Sequence, residues 1–421
     1  VAARCLIVTY YFPPTGGGGV QRISKFIKYL ARDGWEFTVL TSSEPNTLPE
    51  DKTLLNDLPK NINIVSIPPA INNGVLSRLR ARFRSGFVQR WLAAFFFLPD
   101  SRRGWARSAG RYVKQLCRRE SYDVVFITAP PYSLAITASF LTDQLSIPVV
   151  LDMRDPWSTN PYKIYPTPLH KLLDKYLEKK SLKNVKYGIS AYESFIEHIR
   201  KAYNVGGKWQ YIPNGFDEDD FVDLKPLTLE KDRFHLAFSG TFYSHFNNPL
   251  LLFRIFSVLK KRYPGSYARL RFHHIGQSIP DITALAREEG CRDILYSWGY
   301  LDHHQTLNTL AAMDAYCVIL DPGHPRASNT IGGKVYEYLR FGKPVLALVP
   351  DEGEAASLLN RGPGHLIVNP YEPDKAAAAL DALINGAVDG NNWDEMLLNS
   401  FRRETLARQL HHFLKNLLNE K

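Results

Sequence analysis

Gly332 and Gly333 stand directly before Lys334, and Glu337 follows three residues on, before the stretch "GKPV" at Gly342–Val345. A paired-glycine step into a helix leaves free backbone N–H groups at the positive end of the helix dipole, with no side chain to keep a phosphate away. A lysine in the first turn is disfavoured by that dipole, so Lys334 there suggests an anionic partner. Glu337 could accept two hydrogen bonds from a ribose diol. The same residues also fit a surface helix with a solvated Lys and Glu.

A second glycine run, Gly16–Gly19, lies between the apolar "RCLIVTYYF" and an amphipathic helix expected from Val20 to Gly34. A dinucleotide fingerprint needs a third glycine close to the helix, and Gln21 breaks that pattern. Gly17, Gly18 and Gly19 are instead expected to form a side-chain-free loop, open to close approach by a ligand. In "VVLDMRDPW", Asp152, Arg154 and Asp155 fall at the end of an apolar strand, where open α/β sheets bind ligands. They could orient substrate; Asp152 could equally cap a turn, and Arg154 could pair with either acid.

Other polar groups read as structural. The four cysteines (Cys5, Cys117, Cys291, Cys317) have no metal-ligand spacing, which argues against structural zinc and for a reducing compartment. The pairs His273–His274, His303–His304 and His411–His412 show no metal spacing and read as structural or solvent-facing. "DEDD", Asp217–Asp220, reads as a solvated acidic linker.

The formal charge of +10 points to a polyanionic partner. From Arg78 to Arg119 there are twelve Lys/Arg and a single acid, Asp100. Leu79, Phe83, Phe87 and Trp91 recur four apart on one helix face, with Arg78, Arg82 and Arg90 beside or across from it. Aromatics flanked by arginine suit a helix lying in an anionic membrane surface, and also a core-packed helix with a solvated basic face. No nucleic-acid-binding motif accompanies the segment, so nucleic acid is not an expected partner. No signal-peptide pattern opens the sequence. The longest apolar run, Trp91–Leu98, has eight residues against the roughly 20 a membrane span needs. The expectation is a cytoplasmic protein held peripherally on the inner face of the cell membrane.

The elements that would position these groups alternate between apolar strands and helical patterns, which implies parallel sheets covered on both faces. The pattern restarts after a polar stretch from Phe216 to Arg233. Two doubly wound Rossmann-like domains are expected, 1–215 and 216–398, facing a central cleft. Residues 399–421 form an amphipathic helix expected to pack back across the hinge.

In this order, the motifs resemble the GT-B fold retaining glycosyltransferases of family 4. Gly332, Glu337 and "GKPV" match the family's donor motif; Asn329 stands where its first glutamate falls. "YIPNGFD" (Tyr211–Asp217) resembles the inter-domain signature. "FSGTF", with Gly240 and Thr241, resembles the loop opening the nucleotide domain. "SWGYL", with Gly299, Tyr300 and Leu301, resembles the loop meeting the base. Arg154 and Asp155, in "RDPW", resemble a polysaccharide and O-antigen sugar transferase subgroup; many family members carry a His near there. The family's donor-phosphate Arg and Lys are not evident in "GTFYSHFNNP".

The resemblance implies a retaining, metal-independent transfer from a UDP-, GDP- or dTDP-sugar to a lipid-linked or oligosaccharide acceptor in cell-surface polysaccharide biosynthesis. The nucleotide-sugar is a co-substrate, and no cofactor is expected. It places the donor on Gly17–Gly19, Gly240, Thr241, Gly299–Leu301, Asn329, Thr330, Ile331, Gly332, Gly333, Lys334 and Glu337, with Asp152, Arg154 and Asp155 as catalytic candidates. Arg78, Arg82, Phe83, Phe87, Arg90 and Trp91 are the membrane or acceptor candidates. Asn329 keeps open a nucleotide-sugar epimerase or a catalytically silent nucleotide-sugar-binding protein.

Overall fold

The computed structural model describes residues 2–43, 49–68, 86–324, 326–388 and 393–420. The chain folds as two units, Val1–Pro213 joined by Glu404–Lys421, and Asn214–Arg403.

The first unit is a seven-stranded sheet in the order β3-β2-β1-β4-β5-β6-β7. Its strands are β1 (Ala3–Val8), β2 (Trp35–Ser42), β3 (Asn63–Ile67), β4 (Val124–Ala129), β5 (Val149–Met153), β6 (Tyr187–Ser190) and β7 (Lys208–Tyr211), with every pairing parallel. The helices are α1 (Gly18–Arg32), α2 (Gly86–Phe96), α3 (Arg103–Arg119), α4 (Ser133–Thr142), α5 (Pro168–Asn184) and α6 (Glu193–Tyr203). β4 and β5 are buried at every position, as expected of central strands covered on both faces. The strand order reverses between β1 and β4, the switch point beside which such sheets bind ligands at their carboxyl ends.

The second unit is a parallel six-stranded sheet in the order β10-β9-β8-β11-β12-β13. Its strands are β8 (Phe234–Ser239), β9 (Leu270–Ile275), β10 (Leu295–Gly299), β11 (Ala315–Ile319), β12 (Val345–Leu348) and β13 (His365–Val368). The helices are α7 (Pro249–Arg262), α8 (Pro264–Arg269), α9 (Ile282–Glu288), α10 (His303–Ala311), α11 (Lys334–Phe341), α12 (Glu354–Leu359), α13 (Pro373–Ile384) and α14 (Glu395–Ser400). Its switch point lies between β8 and β11.

The last helix, α15 (Arg403–Asn419), returns the chain to the first unit. Leu406, Ala407, Leu410 and Leu414 on it share one apolar core with Ile7, Phe26 and Val39. No described helix is long and apolar enough to cross a membrane.

Candidate functional site

In the first unit the glycine run is half loop and half helix. Gly17 caps α1 at φ +117°, a conformation that favours glycine, while Gly18 and Gly19 already belong to the first turn. The helix therefore begins two residues before the expected start. A Cβ on Gly19 would stand 1.9 Å from Arg154 Nη1, so the glycine is what lets the Arg154 guanidinium lie against the helix start.

Arg154 is nearly buried and donates from its main-chain N to the Ala129 carbonyl at 2.9 Å and from Nη2 to that of Pro130. These carbonyls end β4, so the guanidinium sits at the switch point. Burial pulls its pKa down, while Asp155 and Asp152 push it back up. Burial also raises the Asp155 carboxyl, against the pull of Arg154.

Asp152 has a different environment. It has no solvent exposure and accepts from Thr128 Oγ1 at 2.9 Å and from Arg22 Nη2 at 3.1 Å. Arg22, also at 0% exposure, further donates to the carbonyls of Pro213 at 2.8 Å and Ile212 at 2.9 Å. The pair thus fixes α1 against β4, β5 and the chain leaving β7. Trp157, two residues after Asp155, is fully buried and donates to Asp174 Oδ1 of α5 at 3.0 Å.

In the second unit, α11 starts at Gly333 with no side-chain cap. Gly332 and Gly333 are exposed and face open space, so an anion can approach the helix N–H groups. Glu337 is buried, bound by Lys334 Nζ at 3.0 and 2.9 Å to its two oxygens and by His303 Nε2 at 3.2 Å. Burial would raise this carboxyl, but Lys334 and His303 outweigh it and hold it at about 2. His303 opens α10, whose N-terminus carries a full capping box between Asp302 and Gln305. Its other nitrogen faces Asp220 at 3.7 Å.

Three glycines line up at neighbouring strand ends. Gly240 N–H donates to the Ile275 carbonyl at 2.9 Å, and Gly276 N–H to the Gly299 carbonyl at 2.7 Å. A Cβ on Gly276 would meet the Gly240 carbonyl oxygen at 2.2 Å. Thr241 follows this row and is half-buried; Tyr300 follows β10 and is exposed, and Leu301 is half-buried. Asn329, exposed, ends a 3-10 turn (Ala327–Asn329), with Thr330 half-buried after it. Ile331 is buried, so a ligand could meet only its backbone.

One expectation fails. "DEDD" is not a solvated linker: Asp217 is buried and caps a 3-10 turn, and Glu218 holds Arg340 of α11 at 2.8 Å and Arg402 at 3.2 Å. His303 is structural, as expected, and folding brings it onto Glu337 and towards Asp220. His273 and His274 also behave as expected; burial pushes them down to about 3 and about 4.

Leu79, Arg78, Arg82 and Phe83 lie outside the described residues, as do the side chains of Phe87 and Arg90. Trp91 is exposed on α2, whereas Trp105 of α3 is buried. A cavity of about 230 Å³ lined by Arg4, Glu36, Thr38, Asn63 and Tyr122 lies towards the amino ends of β1, β2 and β3. That is the edge opposite the one at which open sheets bind ligands.

The Glycosyltransferase Family 4 model matches residues 16–220, and the Glycosyl transferases group 1 model matches residues 233–386. The chain belongs to the GT-B glycosyltransferases of family 4. It is similar in structure to sucrose-phosphate synthase from Thermosynechococcus elongatus (TM-score 0.69, 13% identity, 100% of each chain). It is also similar to a glycosyltransferase from Rickettsia africae (0.64, 15%, 100% of each). A third similar structure is a lipopolysaccharide outer core galactosyltransferase (0.58, 14%, covering 98% of this chain and 99% of that one). At these identities the likeness is one of fold. No curated protein matches the chain by sequence.

Proposed function

We propose that this glycosyltransferase moves a sugar, with retention, from a UDP-, GDP- or dTDP-sugar to a lipid-linked or oligosaccharide acceptor in cell-surface polysaccharide biosynthesis. The observation that carries the donor half is the open Gly332–Gly333 helix start with Lys334 held beside it by Glu337. Backbone N–H groups and the Lys334 ammonium would meet the charge of the departing diphosphate, a preorganised electrostatic effect that calls for no metal. Glu337, ionised and fixed by His303, would take the ribose diol. Gly17–Gly19, the Gly240–Thr241 turn, Gly299–Leu301 and Asn329–Ile331 remain assigned to the donor.

In the transfer step the acceptor oxygen bonds to the anomeric carbon as the bond to the phosphate oxygen breaks, and the acceptor's proton passes to that phosphate. Arg154 and Asp155 are assigned to orienting acceptor and sugar. Asp152, closed off by Arg22 and Thr128, acts by holding that strand end in place. The lipid-linked acceptor is supported by the basic aromatic segment 78–91 and by the likeness to a lipopolysaccharide outer core galactosyltransferase. That segment would place the enzyme on an anionic membrane.

The test supplies purified protein with UDP-, GDP- and dTDP-sugars and a lipid acceptor. Acceptor-dependent release of free nucleotide is expected. Conversion of the nucleotide-sugar without acceptor would favour the epimerase reading that Asn329 keeps open; binding with neither conversion nor release would favour a silent binder. Lys334→Ala is expected to weaken nucleotide affinity in calorimetry by roughly tenfold, the size of one charge-assisted hydrogen bond. Unchanged affinity would remove the donor assignment.

A further inference from the structure

We propose that the exposed face of α5, continued by α2, is a docking face for an anionic lipid surface. The inference deepens the membrane reading above and rests on it, adding the residues of α5, which that reading does not use.

The helix α5 is inverted relative to an ordinary surface helix. Its two acids point inward: Asp174 and Glu178 are both at 0% exposure. Asp174 accepts from Trp157 Nε1 at 3.0 Å and from Tyr165 Oη at 2.6 Å, and Glu178 from Tyr203 Oη at 2.8 Å and the Ser158 N–H at 3.2 Å. Four of its large apolar side chains point outward: Leu169, Leu172, Leu173 and Tyr176 are 60%, 65%, 46% and 58% exposed, while Leu182 near the helix end is buried. Their spacing, i, i+3, i+4 and i+7, puts all four on one stripe. Contiguous exposed apolar surface of this kind marks an interaction face.

The stripe continues onto α2. His170 Nε2 donates to the Phe95 carbonyl at 3.0 Å, and the two rings pack with centroids 4.9 Å apart. Phe95 and Phe96 are themselves exposed, with Phe95 stacked on Trp91 at 5.5 Å.

Charge selects the occupant. With both acids inside, the charged side chains that α5 exposes are Lys171, Lys175, Lys179, Lys180 and Lys183. Lys180 and Lys183 carry on the apolar stripe towards the helix end, at i+4 and i+7 from Tyr176. Leucine and tyrosine inserted among acyl chains with lysines at headgroup level is the arrangement of interfacial helices. A second copy of this chain docked symmetrically by the same face would set these lysines against their own images.

The test is sedimentation of the full chain with phosphatidylcholine vesicles, with and without about 30% phosphatidylglycerol, a composition chosen to supply the anionic surface. Wild-type protein is expected to bind the anionic vesicles and to dissociate as salt rises. Leu169→Ser with Leu172→Ser is expected to lose at least about tenfold in partition, as burial of two leucines requires. Lys180→Gln with Lys183→Gln is expected to lose roughly thirtyfold, at about fivefold per lysine. Both pairs lie on the surface, and unchanged thermal midpoints and nucleotide affinity would show the fold and donor site intact. If wild-type protein binds and both variants bind equally well, the α5 face is overturned while the wider membrane reading survives. If wild-type protein does not bind, both fall. A dimer in sedimentation velocity that the leucine variant abolishes would overturn the lipid assignment in favour of self-association.

Discussion

Arg22 and Asp152 each carry a charge with no access to solvent, so either alone is far costlier than the two together. Arg22→Ala leaves a buried carboxylate whose remaining donor shown here is the Thr128 hydroxyl, and is expected to lower unfolding stability by about 3–5 kcal/mol. Arg22→Met combined with Asp152→Leu should cost clearly less, because no orphaned charge remains. Urea unfolding of the single and double variants decides it; equal losses would mean that the backbone carbonyls, not the aspartate, are what Arg22 serves. Glu337 gives a second, pH-dependent expectation. Its carboxyl is held at about 2 against an ordinary 4.5, so the folded state binds the proton less readily than the unfolded one. The stability it contributes is therefore complete above about pH 4.5 and is lost as pH falls towards 2. With Lys334 partly exposed, the contribution is at most about 2 kcal/mol. Glu337→Gln should flatten the stability profile between pH 4.5 and 2.5 relative to wild type, measured by denaturant midpoints. An unaltered slope would show that the Lys334–Glu337–His303 contacts do not operate in solution.

At the scale of elements, α10 and α11 form the donor candidate by each bringing one end of a side-chain contact. The Asp302–Gln305 box fixes the first turn of α10, and that turn carries His303. Asp302→Ala is expected to cost about 1 kcal/mol through the lost cap, and to weaken nucleotide binding by loosening His303 from Glu337. Calorimetric titration checks the second effect; full affinity in the variant would assign His303 to packing alone. The helix start at Gly332–Gly333 and the acid at Glu337 were legible because both follow from local spacing. His303 was not, because its partner lies 34 residues away on another helix. Arg22 was hidden for the same reason, since Asp152 is 130 residues distant. The acidic turn at Asp217–Asp220 misled because a run of charges ordinarily signals a solvated surface. Here Arg340 and Arg402 converge on it from later in the chain. The inward acids of α5 are not legible in the sequence because a helix pattern gives the period of a face but not which face is covered.

At the scale of the whole molecule, the alternation of strands and helices already implied two parallel sheets, and the strand orders follow the doubly wound rule. What the pattern did not define was which unit owns the last helix. The amphipathic run after Phe401 could cover any apolar surface, and it is the first unit's core that takes Leu406, Leu410, Leu414 and Leu417. These four are nearly devoid of exposure, and each would leave a void worth about 2–5 kcal/mol if removed. The first unit is therefore not expected to survive truncation after Arg403. The second unit has its own closure: Phe216 N–H donates to the Phe401 carbonyl at 3.1 Å, and Arg403 N–H to the Phe216 carbonyl at 2.8 Å, pairing its two ends. Among the described residues, the buried members of its large apolar cluster run from Leu236 to Ile384. Calorimetry of a chain ending at Arg403 should thus lose the transition of the first unit and keep that of the second, with nucleotide binding retained by the Gly332–Glu337 helix start. Persistence of both transitions would mean that α15 merely covers a core complete without it. Loss of both would mean that the second unit depends on the first for its stability, despite its self-contained sheet.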